Sequence, residues 1–302
     1  MINKLLSNPK YSRYSFFIFL AFSISANSFI FIKQGNTYIL YIFCAFFLGI
    51  GFYNSPKWVI YFFTFIIVLC RFYLIPETSA DFVTFLIFLL TYFLISITSA
   101  ALMTNMQKVA EENIELTKAL SNALDSRDTY TLHHSENVAK HALRIAEKMN
   151  LAPSLCQTIH LGGLLHDIGK IGIPEHILLK AGKLTTEEYE CIKSHPIIGY
   201  EMIKHVKRYK LSGILDIVLY HHERYDGKGY PKGLKGEDIP LVARIIAVAD
   251  TFDAMSSQRI YREAIDLDTI LCEIKRNKGK QFDPDIVNAF LSLFEKKGEP
   301  NG

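Results

Sequence analysis

Hydrophobic positions divide this chain in two. From about residue 14 to residue 103 it is mostly Phe, Ile, Leu, Tyr and Val; from residue 104 onward apolar and charged positions interleave as in a soluble protein. Four apolar runs fill the first part, at about 14–32, 37–53, 58–75 and 82–103. A helix needs about 20 apolar residues to cross the hydrocarbon core of a bilayer. The first and fourth runs are long enough. The second is short, and the third carries Arg71 near one end, where an arginine can snorkel to the interface. The polar breaks at 33–36, 54–57 and 76–81 have the composition of turns. The pattern therefore predicts a four-helix transmembrane region over residues 1–103.

Positive charge orients such a region. Lys4, Lys10 and Arg13 precede the first run, Lys57 separates the second from the third, and Lys108 follows the fourth. The opposite side carries Lys33 and an acidic loop. Four spans with both ends in the cytoplasm fit this better than a cleaved leader over residues 1–27. No charged or histidine pair sits at mid-span, so an anchor, with or without sensing, is expected rather than a transporter.

Residues 104–126 contain no Gly or Pro and are rich in helix formers. Met106, Val109, Asn113, Leu116, Leu120 and Ala123 recur at spacings of three and four. This short heptad stripe, with Asn113 at a core position, predicts a linker helix that pairs in a parallel homodimer. The plainer alternative is an amphipathic helix lying on its own domain.

Residues 127–302 read as an all-helical bundle. Val138, Ala142, Ile145, Ala146 and Met149 share one helical face within 132–150. Further helices are expected over 161–168, 214–220 and 241–254, with closing helices at 270–274 and 286–294. No strand alternation or hairpin signal is present, so the fold class is all-α throughout.

Composition adds one sharp fact: all ten histidines fall between His133 and His222. The net charge of +3 gives no dense basic face for a nucleic-acid polymer. The five cysteines form no CxxC pair and read as free buried thiols in a reducing compartment. Within the histidine-rich segment, His166 and Asp167 end one apolar stretch and His221 and His222 end another. Asp250 closes a third, with Asp253 one helical turn on; His134 and His195 complete the set. Charged groups after apolar runs are costly to bury unless something binds them. Imidazole and carboxylate without thiolate suit iron, manganese or zinc. Seven such groups, one carboxylate bridging, match two ions, which can activate water and stabilise both oxygens of a phosphoryl displacement.

The stretch from residue 125 to residue 294 resembles an HD-GYP domain, a subgroup of the HD metal-dependent phosphohydrolases. The resemblance is carried by Arg127-Asp128-Thr129-Tyr130-Thr131 before His134, by His166-Asp167-Ile168-Gly169-Lys170, by Leu179-Lys180-Ala181-Gly182-Lys183-Leu184-Thr185 and by His195-Pro196-Ile197-Ile198-Gly199. It continues in His221-His222-Glu223-Arg224-Tyr225-Asp226-Gly227-Lys228-Gly229-Tyr230-Pro231 and Asp250-Thr251-Phe252-Asp253-Ala254-Met255. It implies an all-helical fold and hydrolysis of cyclic di-GMP to pGpG or GMP. It also implies metal ligation by His134, His166, Asp167, His195, His221, His222 and Asp250, with iron or manganese as the expected pair of ions. Some members hold a third metal through a Glu four residues before the first His; Tyr130 stands there, so two are expected.

Other roles are weighed against bland ones. Lys170 can offset charge on a phosphate oxygen or simply cap a helix end. Asp128 or Asp253 can orient a proton or a ligand histidine. The loop holding Asp226, Gly227 and Tyr230 is expected at the substrate, with Tyr230 under a guanine or filling the loop's base. Arg259 and Arg262 suit phosphate or guanine edges or ordinary surface ion pairs. His133, His141, His160, His176 and His205 are expected to be structural or exposed. The expected whole is a multi-pass protein of the bacterial inner membrane with a cytoplasmic phosphodiesterase. The alternatives are a phosphodiesterase for cyclic GMP–AMP and a catalytically silent nucleotide receptor.

Overall fold

The computed structural model describes residues 9–30, 37–75, 81–127, 133–257 and 266–295. They form helices and turns without a strand, apart from an isolated bridge between Lys278 and Phe282. The chain divides into two compact units, residues 1–112 and 113–302.

In the first unit, α1 (Pro9–Ser25) runs into a π-helical turn (Ala26–Ile30), followed by α2 (Tyr38–Phe52), α3 (Lys57–Leu74) and the start of α4 (Phe82–Asp125). Phe16, Tyr41, Cys44, Leu48, Ile67 and Val68 are buried in one core, while Ile18, Trp58, Phe62 and Leu90 are exposed. Two helices, α3 and α4, are long and apolar enough to cross a membrane. The apolar α2 has 15 residues, a rise of only about 22 Å. Arg71 does not snorkel outward. It is 7% exposed, with its guanidinium 3.8 Å from the Phe88 ring centroid, a cation–π contact.

The fourth apolar run and the linker lie on one helix, α4, of 44 residues. Composition changes near residue 104, but no Gly or Pro intervenes, and a helical backbone needs no break where its side chains turn polar.

In the second unit the end of α4 is followed by α5 (His134–Lys148), α6 (Pro153–Leu165), a 3₁₀ turn (Ile168–Gly172) and the short α7 (Glu175–Leu178). Next come α8 (Thr186–Lys193), α9 (His195–Ile203), α10 (Lys207–Ser212) and α11 (Ile214–Tyr220). After a second 3₁₀ turn (Gly236–Asp238), α12 (Leu241–Ser256), α13 (Leu267–Arg276) and α14 (Pro284–Leu291) close the bundle. The pattern analysis missed α8 although its start is signalled. Thr185 accepts from Glu188 N and the Glu188 side chain accepts from Thr185 N, a full capping box. The main core gathers Val138, Ile145, Ile159, Ile217, Ile245, Phe252 and Phe290 from α5, α6, α11, α12 and α14. Leu124 of α4 joins Ala139, Leu161, Leu164, Ile214 and Val218 in a second.

Candidate metal centre

Six of the seven candidate ligands sit at a helix end or just beyond it, and Asp250 lies within α12. His134 opens α5, whose N-terminus is held by Asp125: its carboxylate accepts from Ser135 N at 3.1 Å and Ser135 Oγ at 2.8 Å. His166 follows the apolar α6, and Asp167 begins the 3₁₀ turn. His195 opens α9, which packs on that turn so closely that a Cβ on Gly169 would meet the His195 carbonyl oxygen at 1.9 Å. His221 and His222 follow α11, and Asp250 and Asp253 lie one turn apart on α12.

The seven come together in two groups, Asp167 with His195, His221 and His222, and His134 with His166 and Asp250; within each group the ligating atoms lie within 4.8 Å of one another. Asp167 links the groups. Its Oδ1 is 3.2 Å from His195 Nε2 and 3.8 Å from His221 Nε2. Its Oδ2 is 3.3 Å from His166 Nε2 and 3.9 Å from His134 Nε2. Asp250 Oδ1 lies 3.2 Å from His134 Nε2.

The ring nitrogens facing away from the centre are already used. Nδ1 of His166 donates to the Gly163 carbonyl at 2.7 Å, that of His195 to Ile192 at 2.7 Å and that of His221 to Val218 at 3.0 Å. A neutral ring that donates from Nδ1 presents a lone pair at Nε2. Two such lone pairs, on His195 and His221, then face each other 3.3 Å apart. His166 Nε2 is buried with no hydrogen bond at all. Buried acceptors aimed at one another are costly unless a cation lies among them. The donor set and these atoms therefore fit a pair of divalent cations with N and O ligands.

Burial and the neighbouring carboxylates set the charge of these groups in opposite directions. Burial holds the His221 pKa well below the ordinary value and pushes that of His222 down to about 4, so both rings are neutral. Burial also opposes charge on His134, but Asp250 and Asp253 outweigh it and push its pKa up to about 10. Burial would raise the Asp167 pKa, yet Lys170 and His166 pull it well below the carboxylate range.

The other candidates are placed as follows. Lys170 Nζ lies 2.6 Å from Asp167 Oδ2, so its ammonium belongs to the centre. Asp253 Oδ2 sits 2.7 Å from His134 Nδ1, which makes it the orienting partner of that ring. Tyr230 packs on His222, ring centroids 4.8 Å apart and planes 31° apart, so it supports that ring. Asp226 is engaged by Arg224 at 2.9 Å and by Lys228 N at 3.1 Å. Gly227 takes a φ of 80° that few side chains tolerate. Neither Asp226 nor Gly227 lines the cavity beside the centre, where the sequence reading expected them, because both are spent on shaping the loop. Asp128, Tyr130, Arg259 and Arg262 lie outside the described residues.

That cavity, of about 280 Å³, is lined by His221, His222 and Asp250, by Arg224, Lys228 and Tyr230 of the loop, and by Tyr189 and Gln281. Sequence reasoning gave no role to Tyr189, Gln281 or Glu223. Glu223 is buried and accepts from Lys232 N at 2.7 Å and Leu234 N at 3.0 Å, pinning the loop. Its position directly after the paired histidines was the available signal.

Comparison with known proteins adds kinship. The family model described as "HD domain" matches residues 118–286. The cyclic di-GMP phosphodiesterase response regulator RpfG of Xanthomonas campestris is 44% identical over 191 residues, 63% of this chain and 50% of that protein. A cyclic di-GMP phosphodiesterase of Thermotoga maritima is 42% identical over 196 residues, 62% of this chain and 53% of that protein. The 3'3'-cGAMP-specific phosphodiesterase 2 of Vibrio cholerae is 36% identical over 191 residues, 63% of this chain and 37% of that protein. The chain thus spans about half the length, or less, of these curated relatives.

Proposed function

The chain belongs to the HD domain family, and from that premise we propose that it is a metal-dependent phosphodiesterase that hydrolyses cyclic di-GMP. One observation carries the reading: Asp167 divides its two oxygens between two groups of buried ligands, a geometry suited to two bridged ions. The activities for which the relatives are named support the substrate class, a cyclic dinucleotide.

His134, His166, Asp167, His195, His221, His222 and Asp250 would hold the two ions, iron or manganese by ligand type. The ions would supply Lewis acidity toward a phosphate oxygen and a lowered pKa for water. The carbonyls behind His166, His195 and His221 fix each ring's tautomer, and Asp253 does so for His134. Lys170 places a positive charge beside Asp167, where it offsets the charge that builds on a phosphate during displacement. Arg224 and Lys228 place positive charge on the cavity wall beside the carboxylates of Glu223 and Asp250, which suits a phosphate-bearing substrate.

The apolar first unit is read as a multi-pass anchor in a bacterial inner membrane with the phosphodiesterase in the cytoplasm; α3 and α4 and the distribution of Lys and Arg support it. The linker stripe is read as a parallel dimer contact that carries a membrane signal to the catalytic unit.

The test is a panel of cyclic dinucleotides offered to the full chain purified in detergent under anaerobic conditions, with products identified by mass spectrometry. Conversion of cyclic di-GMP to pGpG or GMP is the expected result. Turnover of cyclic GMP–AMP alone would reassign the substrate. Tight binding of cyclic di-GMP without turnover by metal-loaded protein would make the chain a receptor.

A further inference from the structure

Two aromatic side chains wall the cavity beside the metal centre, and they are not equivalent. Tyr230 is partly buried and packs on the centre. His222 lies against it at 4.8 Å, and Lys193 Nζ stands 5.4 Å from its ring centroid. The ring is thereby fixed as a support for a ligand histidine. Tyr189 is the opposite case: it projects from α8, lines the same cavity and is 52% exposed. Its ring neighbour is Lys193, one helical turn on, with Nζ 5.7 Å from the centroid. A large aromatic surface left in water at the rim of this cavity is placed to receive a flat apolar ligand face. The cavity, about 280 Å³, is at the low end for small-molecule sites, so it takes in one part of a cyclic dinucleotide and leaves the rest to its rim.

We propose that Tyr189 is a base-stacking residue of the substrate site, with a purine of the cyclic dinucleotide lying on its exposed face while the scissile phosphate reaches the metal centre. This rests on the phosphodiesterase reading above. Stacking on an aromatic ring tolerates any base, so Tyr189 provides affinity, and the choice between guanine and adenine falls to groups at the base edge. Gln281 lines the same cavity, and its Oε1 accepts from Arg224 Nη1 at 3.1 Å, which leaves its amide nitrogen as a donor.

The experiment is steady-state kinetics on the full chain in detergent, comparing wild type with Tyr189→Ala, Tyr189→Leu and Tyr189→Phe on cyclic di-GMP. The Ala and Leu variants are expected to raise KM about tenfold, with the loss falling on KM rather than kcat, and Phe to restore the wild-type KM. A side chain that merely filled space would be rescued by Leu, so equal rescue by Leu and Phe overturns the proposal. An unchanged KM in Tyr189→Ala overturns it as well. If wild type turns over no cyclic dinucleotide, the phosphodiesterase reading falls and this inference falls with it; an active wild type with an unaffected Ala variant sinks the inference alone.

Discussion

At the residue scale, the centre is built from pairs in which one member touches the ion site and the other holds it in place. Asp253 is the clearest holder, 2.7 Å from His134 Nδ1 and 3% exposed. Replacing it with Asn keeps the volume but removes the charge behind the ring. Asp253→Asn is expected to lower metal affinity or turnover about 10- to 100-fold, while circular dichroism shows the wild-type helix content; an unchanged metal affinity and rate would remove Asp253 from the site. Gly229 is a different kind of support. A Cβ there would meet Arg224 N at 2.4 Å, Glu223 Cα at 2.5 Å and His222 O at 2.6 Å, all atoms that cannot swing away. Gly229→Ala should destabilise the fold by about 1–3 kcal/mol, read as a lowered unfolding midpoint, whereas at Gly182, with nothing within 4 Å of the added carbon, the midpoint should not fall. The clustering of these side chains was legible in the sequence because imidazole and carboxylate at the ends of apolar runs need partners when buried. The holders were less so. The carbonyls of Gly163, Ile192 and Val218 orient three rings, and a carbonyl looks the same in every residue.

At the element scale, α4 has two faces where a simple amphipathic helix has one. Thr117, Ser121 and Leu124 are buried, and Leu124 and Ile114 belong to the second unit's own core. Met106, Val109, Asn113, Leu116, Leu120 and Ala123 are all exposed. The heptad stripe is therefore not the face on which the helix rests. An exposed stripe of this spacing suits a second copy of the helix, with Asn113 setting register. A Leu116→Lys/Leu120→Lys double variant should shift the full chain from dimer to monomer in size-exclusion chromatography with light scattering, at little cost to folding, since the two side chains are 61% and 53% exposed. A wild type that is already monomeric would remove the dimer from the account. Most helix bodies could be read from periodicity: 214–220 was expected and Ile214–Tyr220 is found. The helices α7, α9 and α10 could not, because they are short and carry no continuous apolar run like the one that marks Ile214–Tyr220.

At the scale of the whole molecule, the chain joins an apolar unit to a helical unit that gathers five of the ten histidines around Asp167 and Asp250. The change from apolar to mixed composition near residue 104 is legible in the sequence, while the two compact units divide at residue 112. What the apolar unit responds to has no such signature. The central claim concerns the centre, and metal content tests it most directly. The full chain, purified anaerobically in detergent, would be analysed for bound transition metal and for cyclic di-GMP turnover beside an Asp167→Ala variant. The account predicts about two ions per wild-type chain, and loss of turnover with depleted metal in the variant. Folded wild-type protein that binds no metal, or an Asp167→Ala variant that retains both its metal and its rate, would contradict it.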